Sequence, residues 1–127
     1  MIAAARLRKG GANSARGAHR FITDALRTAR KAGASGVLVL RADSAFYGHD
    51  VIAAALRQDA CFSVTARQDK AVRKAISRIG ANAWTTINDT AAIFDQDSQQ
   101  WISDAQVAEI DYTAFTSRPK AQHITAG

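Results

Sequence analysis

The run VLVL at residues 37–40 constrains the fold more than any other stretch. It is fenced by Gly36 on one side and by Arg41, Ala42 and Asp43 on the other. An unbroken Val/Leu run bounded by glycine reads as a strand buried on both faces, the habit of a strand inside a parallel sheet. Such a strand needs helices to cover it, and its flanks supply them. Upstream, Ala18, Phe21, Ile22, Ala25, Leu26 and Ala29 recur at helical spacing. They predict a helix from Ala15 to about Ala32, closed by Gly33 and Gly36. Asn13 or Ser14 would cap its start, because a side-chain oxygen can accept a free first-turn N–H. Downstream, Val51, Ile52, Ala55 and Leu56 predict a short helix ending near Gln58. CFSVTAR, residues 61–67, then predicts a second strand with Phe62, Val64 and Ala66 alternating. Strand, helix, strand implies a right-handed parallel crossover. Asp69 caps a third helix whose apolar face is Ala71, Val72, Ala75, Ile76 and Ile79.

From Trp84 onward the texture changes to β-branched and aromatic residues without helical period: WTTI, AIFD, QWISDAQVAEIDYTAFT and QHITA. DQDSQQ, residues 95–100, predicts the turn of a hairpin. A longer strand is expected from Gln106 to Thr116. SRPK, with Pro119, makes a second turn, and HITAG begins a returning strand. That strand is short, which would leave an edge unpaired. The expected fold is therefore α/β: helix, strand, helix, strand, helix over residues 1–83, then a β-rich region over 84–127 that looks cut short at its C-terminus.

With 127 residues the chain has room for one domain with a core. Its 47% hydrophobic and 22% charged residues are an ordinary globular mix. One cysteine, Cys61, excludes an intrachain disulfide and suits a reducing cytoplasm. No apolar run is long enough to span a bilayer, and MIAAARLRKGG lacks the layout of a secretory signal. The net charge is +6, and its placement is informative. Nine basic residues, Arg6, Arg8, Lys9, Arg16, Arg20, Arg27, Arg30, Lys31 and Arg41, fall in residues 1–41 against one acid, Asp24. A basic end on a near-neutral body suits a polyanion, since Lys and Arg displace counterions from phosphates. A plain solvated helix reads the same way.

Asp43 is the first candidate for chemistry. It lies just past the carboxyl end of the VLVL strand, where open α/β sheets collect functional groups. A carboxylate there can hold Mg²⁺ beside phosphates, or it can cap the following turn. His49 and Asp50 have no third ligand at zinc spacing and read as the exposed first turn of the second helix. Cys61, without a flanking Cys or His partner, reads as a small core residue. GGANSARG lacks the Gly-Lys-Ser/Thr ending of a phosphate-binding loop, though with Arg16 beside it the helix start could meet a backbone phosphate. Trp101 reads as cross-strand packing or, if exposed, as a platform for a base.

Taken together, LRKGGANSARG and its basic helix, VLRADSAFYG, FSVTARQDKAVRKAI, AWTTI and WISDAQVAEIDYTAFTSRPKAQHITA resemble the middle of a bacterial insertion-sequence transposase of the DDE type. The resemblance covers nearly the whole chain. It implies a ribonuclease H-like core in which two aspartates and a glutamate hold two Mg²⁺ or Mn²⁺ ions. These activate water or a DNA 3′ hydroxyl for attack on a phosphodiester. Asp43 matches the second acid of that triad, catalytic and metal-binding. The region from Trp84 looks like the β-rich insertion that contacts the DNA end in such enzymes. Double-stranded DNA, both element ends and target, is the implied partner, with self-association open and no membrane. The implied location is the bacterial cytoplasm, at the nucleoid. Arg8, Lys9, Arg16, Arg20 and Trp101 are the candidate DNA contacts.

The departures carry equal weight. No acid precedes the LRKGG loop where the first aspartate should stand, and Glu109 does not match the position of the final glutamate. The expectation is a chain with one of three acids, a remnant inactive in strand cleavage on its own and without a tightly held metal. A non-catalytic DNA-binding module that interferes with an intact enzyme, or a functionless product, fits the same sequence. A phosphatase-like use of Asp43 as nucleophile is disfavoured, since Ala45 stands where a second aspartate would be needed.

Overall fold

A computed structural model describes residues 4–5 and 16–126. The chain forms two compact units, Met1–Arg67 and Gln68–Gly127. Among the described residues no helix is long and apolar enough to cross a membrane.

The first unit is α1 (Ala18–Lys31), β1 (Leu38–Ala42), α2 (His49–Arg57) and β2 (Ala60–Val64). The α1 helix begins three residues later than its apolar spacing suggests. Gly17 precedes it in the left-handed conformation, φ 72°, and supplies no side-chain cap. The cap expected from Asn13 or Ser14 lies outside the described residues. Its far end follows the sequence closely. Gly33, at φ 101°, donates its N–H to Arg30 O, and Ala34 donates to Ala29 O. This is the paired closure that lets a left-handed glycine satisfy the last carbonyls of a helix. Arg30 reinforces it: Nη1 donates to the carbonyls of Ala34 and Gly36 at 2.9 and 2.7 Å, and Nη2 reaches Asp59 O at 3.4 Å.

Strands β1 and β2 pair in parallel, with Leu38 opposite Ala60 and Ala42 opposite Val64. Helix α2 connects them and packs on both α1 and β2. Ala18 and Ile22 of α1 meet Val51 and Ala54 of α2, with Leu26, Leu40 and Phe46 against them. The small side chains of Ala54 and Ala55 are fully enclosed, so the elements approach closely there.

VLVL is not buried on both faces. Val37 and Val39 are 80% and 56% exposed, while Leu40 faces the core. The pleat sends alternate residues to opposite faces, and only the face towards the helices is covered within this unit. Cys61 is corrected for the same reason. It is exposed rather than a core residue, because the register sets it opposite Val39 on the uncovered face.

The second unit starts with α3 (Lys70–Ile76), whose first turn is capped by Asp69: Oδ1 accepts the Val72 N–H at 2.9 Å. Three antiparallel pairs follow. β3 (Thr85–Thr86) pairs with β6 (Gln106–Val107), β4 (Ile93–Asp95) with β5 (Gln100–Ile102), and β7 (Tyr112–Ala114) with β8 (Ile124–Ala126). The hairpin across DQDSQQ and the turn through SRPK are both present. The single strand expected over Gln106–Thr116 is not. Residues 108–111 leave the ladder, so its two ends pair in different sheets. Phe115, at φ 62°, closes the second piece and starts the turn with Arg118 N–H on its carbonyl at 2.9 Å.

Candidate functional site

Parallel strands end together, so the carboxyl edge of β1 and β2 brings their last residues into one place. The Thr65 N–H donates to Ala42 O at 3.2 Å, which sets Asp43 and Thr65 side by side in register. Asp43 leaves the strand in an extended conformation and caps the short turn Ser44–Phe46. Its Oδ1 accepts the Ala45 N–H at 2.9 Å. Among the described residues Oδ2 has no partner, and the residue is exposed. Asp43 thus caps the turn with one carboxylate oxygen, while the other lies at the sheet edge.

Arg67 completes this edge. Its Nε donates to Ser44 O at 3.3 Å, which holds a guanidinium beside the turn that follows Asp43. Sequence reasoning passed over Arg67. Its signal was the parallel register, since a residue three past the end of β2 falls level with the turn after β1. His49 and Asp50 lie in the first turn of α2, joined by Nδ1 to Oδ1 at 3.1 Å. Asp50 is exposed as expected, whereas the His49 side chain is only 13% exposed.

A divalent metal pair needs several oxygen ligands around it. Among the described residues no three His, Cys, Asp or Glu side chains gather closely enough to hold an ion. Glu109 lies between β6 and β7, outside both strands.

The cationic candidates are spread along the chain. Arg8 and Lys9 lie outside the described residues. Arg16 is exposed just before α1, and Arg20 is exposed on its first turn. Arg27 and Lys31 extend the same solvent face. Arg30 does not belong to it, because its guanidinium is spent on backbone carbonyls. In the second unit Trp101, 54% exposed, meets Phe94 edge-on at 5.3 Å between ring centroids. It packs across the β4–β5 pair and still offers open ring surface.

A parallel pair with helices packed on one face and an aspartate at its carboxyl edge is the setting that nucleotide and phosphoryl chemistry uses in α/β proteins. The family model described as transposase DDE domain, group 1, matches residues 1–126. The chain belongs to this family, whose members act on DNA and generally use divalent metal ions. No curated protein and no solved structure matches it.

Proposed function

We propose that the chain is a DNA-binding piece of a DDE transposase, that Asp43 is the second acid of the family triad, and that the chain alone does not cut DNA. The observation that carries the reading is the placement of Asp43 at the carboxyl edge of β1, in a sequence that matches the family throughout. In the complete reaction Mg²⁺ or Mn²⁺ would polarise the attacked phosphodiester and activate the attacking hydroxyl. This chain's part is to present one carboxylate oxygen at the sheet edge, with Arg67 nearby to meet a phosphate. The ribonuclease H-like core remains part of the proposal, with β1, β2 and their helices as its portion here.

Double-stranded DNA binds through the exposed cations Arg16 and Arg20, joined by Arg8 and Lys9, with Trp101 against a base or sugar. Binding of this kind releases counterions, so its affinity falls steeply with salt. Replacing Arg16 and Arg20 together by alanine should flatten the salt dependence by about two phosphate contacts' worth of slope. A salt slope unchanged in that variant removes the two arginines from the interface. No duplex binding at low salt would favour a functionless product. The non-catalytic interfering module shares the binding but not the descent of Asp43 from a working triad. Loss of an intact family transposase's activity in its presence would favour that reading.

A further inference from the structure

Residues 79–117 contain six acids, Asp89, Asp95, Asp97, Asp104, Glu109 and Asp111, and no Lys, Arg or His. The β4–β5 hairpin lies within this stretch and carries exposed apolar side chains. Ile93 pairs with Ile102, and the two are 71% and 58% exposed. The pleat sets Asp95 on their side of the hairpin, while Phe94 and Trp101 meet on the other. Asp97 in the turn and Asp104 just past β5 are exposed at the two ends of this face. Among the described residues none of the six carboxylates has an ion-pair partner. The face is therefore apolar at its centre, with uncompensated negative charge around it.

The first unit has the opposite combination. Val37, Val39 and Arg41 alternate onto the side of β1 that the helices leave uncovered, with Cys61 and Ser63 beside them on β2. Val37 and Val39 are more than half exposed. Arg41 is exposed too, and among the described residues its guanidinium has no ion-pair or hydrogen-bond partner. Neither face suits a copy of itself. A symmetric contact would set Asp95 against Asp95, or Arg41 against Arg41, and like charges across a contact repel. Each face suits the other, with valines on isoleucines and a guanidinium among carboxylates.

We infer that the open β1–β2 face of one copy of this chain docks on the Ile93–Ile102 face of a second copy, without DNA, with Arg41 among Asp95, Asp97 and Asp104. Such a contact joins two different surfaces. It closes when each copy gives one face and receives the other, and it extends into larger assemblies when it does not. The inference goes beyond the proposed function and needs neither Asp43 nor a bound duplex.

The test follows the full chain without DNA by sedimentation velocity, from about 1 to about 200 µM. Assembly should grow with concentration, and a monomer throughout would overturn the inference. Arg41→Asp should weaken association at least about tenfold, and so should Asp97→Lys with Asp104→Lys. An equimolar mixture of these two variants should associate like the wild-type chain, because opposite charges then meet at both contacts. No recovery in the mixture would overturn the pairing of faces. Arg27→Ala with Lys31→Ala changes the net charge by as much as Arg41→Asp, on the solvent side of α1, and should alter association by less than about twofold. An equal loss there would reduce the effect to general attraction between charged units and overturn the docking faces. The wild-type chain gives a second readout that no variant can spoil. On dilution the backbone amide resonances of residues 38–42, 60–64 and 93–104 should move, and movement confined to other segments would overturn the assignment. Failure of duplex binding with this assembly intact would count against the proposed function alone.

Discussion

Residues 18–67 and residues 68–126 are similar lengths of chain held together by different means. In the first, α1 and α2 bury Ala18, Ile22, Val51, Ile52, Ala54 and Ala55 over a parallel strand pair. In the second, Ala114 is the buried apolar side chain, and order comes from short antiparallel pairs, capped turns and exposed aromatic contacts. The contrast shows where function can afford to sit. The packed unit places Asp43 at the end of β1, where its side chain caps the Ser44–Phe46 turn. The second unit exposes Ile93, Trp101 and Ile102 at 71%, 54% and 58%.

The largest expected effect tests the packed unit. Ile22→Ala should cost about 2–4 kcal/mol of unfolding free energy, read from urea denaturation, whereas Ile93→Ala should stay within about 0.5 kcal/mol. Similar losses from both would break the distinction between the two units. Next is Arg30→Ala, which removes the donor from three backbone carbonyls at the end of α1. It should cost about 1–2 kcal/mol and leave the salt slope of DNA binding unchanged; a flattened slope would return Arg30 to the interface. Phe94→Ala strips the edge-on partner from Trp101. It should cost about 1 kcal/mol, seen as faster amide exchange in β4 and β5, with α1 and α2 unaffected.

The smallest effect is acid-dependent. The Ser98 hydroxyl, and then the Asp97 and Ser98 N–H groups, hold the Asp95 carboxyl below the usual carboxylate range, against a smaller opposing effect of desolvation. A depressed folded-state pKa stabilises the ionised form. The contribution is therefore complete above the ordinary aspartate value of about 3.9 and is lost as pH falls through the folded value. Order in the β4–β5 turn should fade in that acid window, and Asp95→Asn should remove the pH dependence. Unchanged resonances of residues 95–100 across the window would contradict this.

Much of the fold was legible because local chemistry decided it. The apolar spacing of α1, its Gly33 closure, the Asp69 cap and the DQDSQQ turn each depend on neighbours in sequence. The errors came where a distant partner decides. Val39 and Cys61 share an uncovered face, which an apolar run cannot reveal, although the inward alternation of Phe62 and Val64 already placed Cys61 outward. QVAEIDYTA reads as one strand because its residue types suit strands throughout, yet its ends pair with different partners. Asp43 was visible from its place after VLVL. Arg67 was not, since its place beside the Ser44–Phe46 turn follows from the register of β1 with β2.

The central claim is that the chain carries a real but isolated catalytic aspartate on a DNA-binding scaffold. Its most direct test incubates the purified chain and its Asp43→Asn variant with supercoiled plasmid, with Mg²⁺ and separately with Mn²⁺, while duplex binding is measured in parallel. The account predicts salt-sensitive binding by both proteins and nicking by neither. Metal-dependent nicking by the wild-type chain that disappears in Asp43→Asn would contradict it.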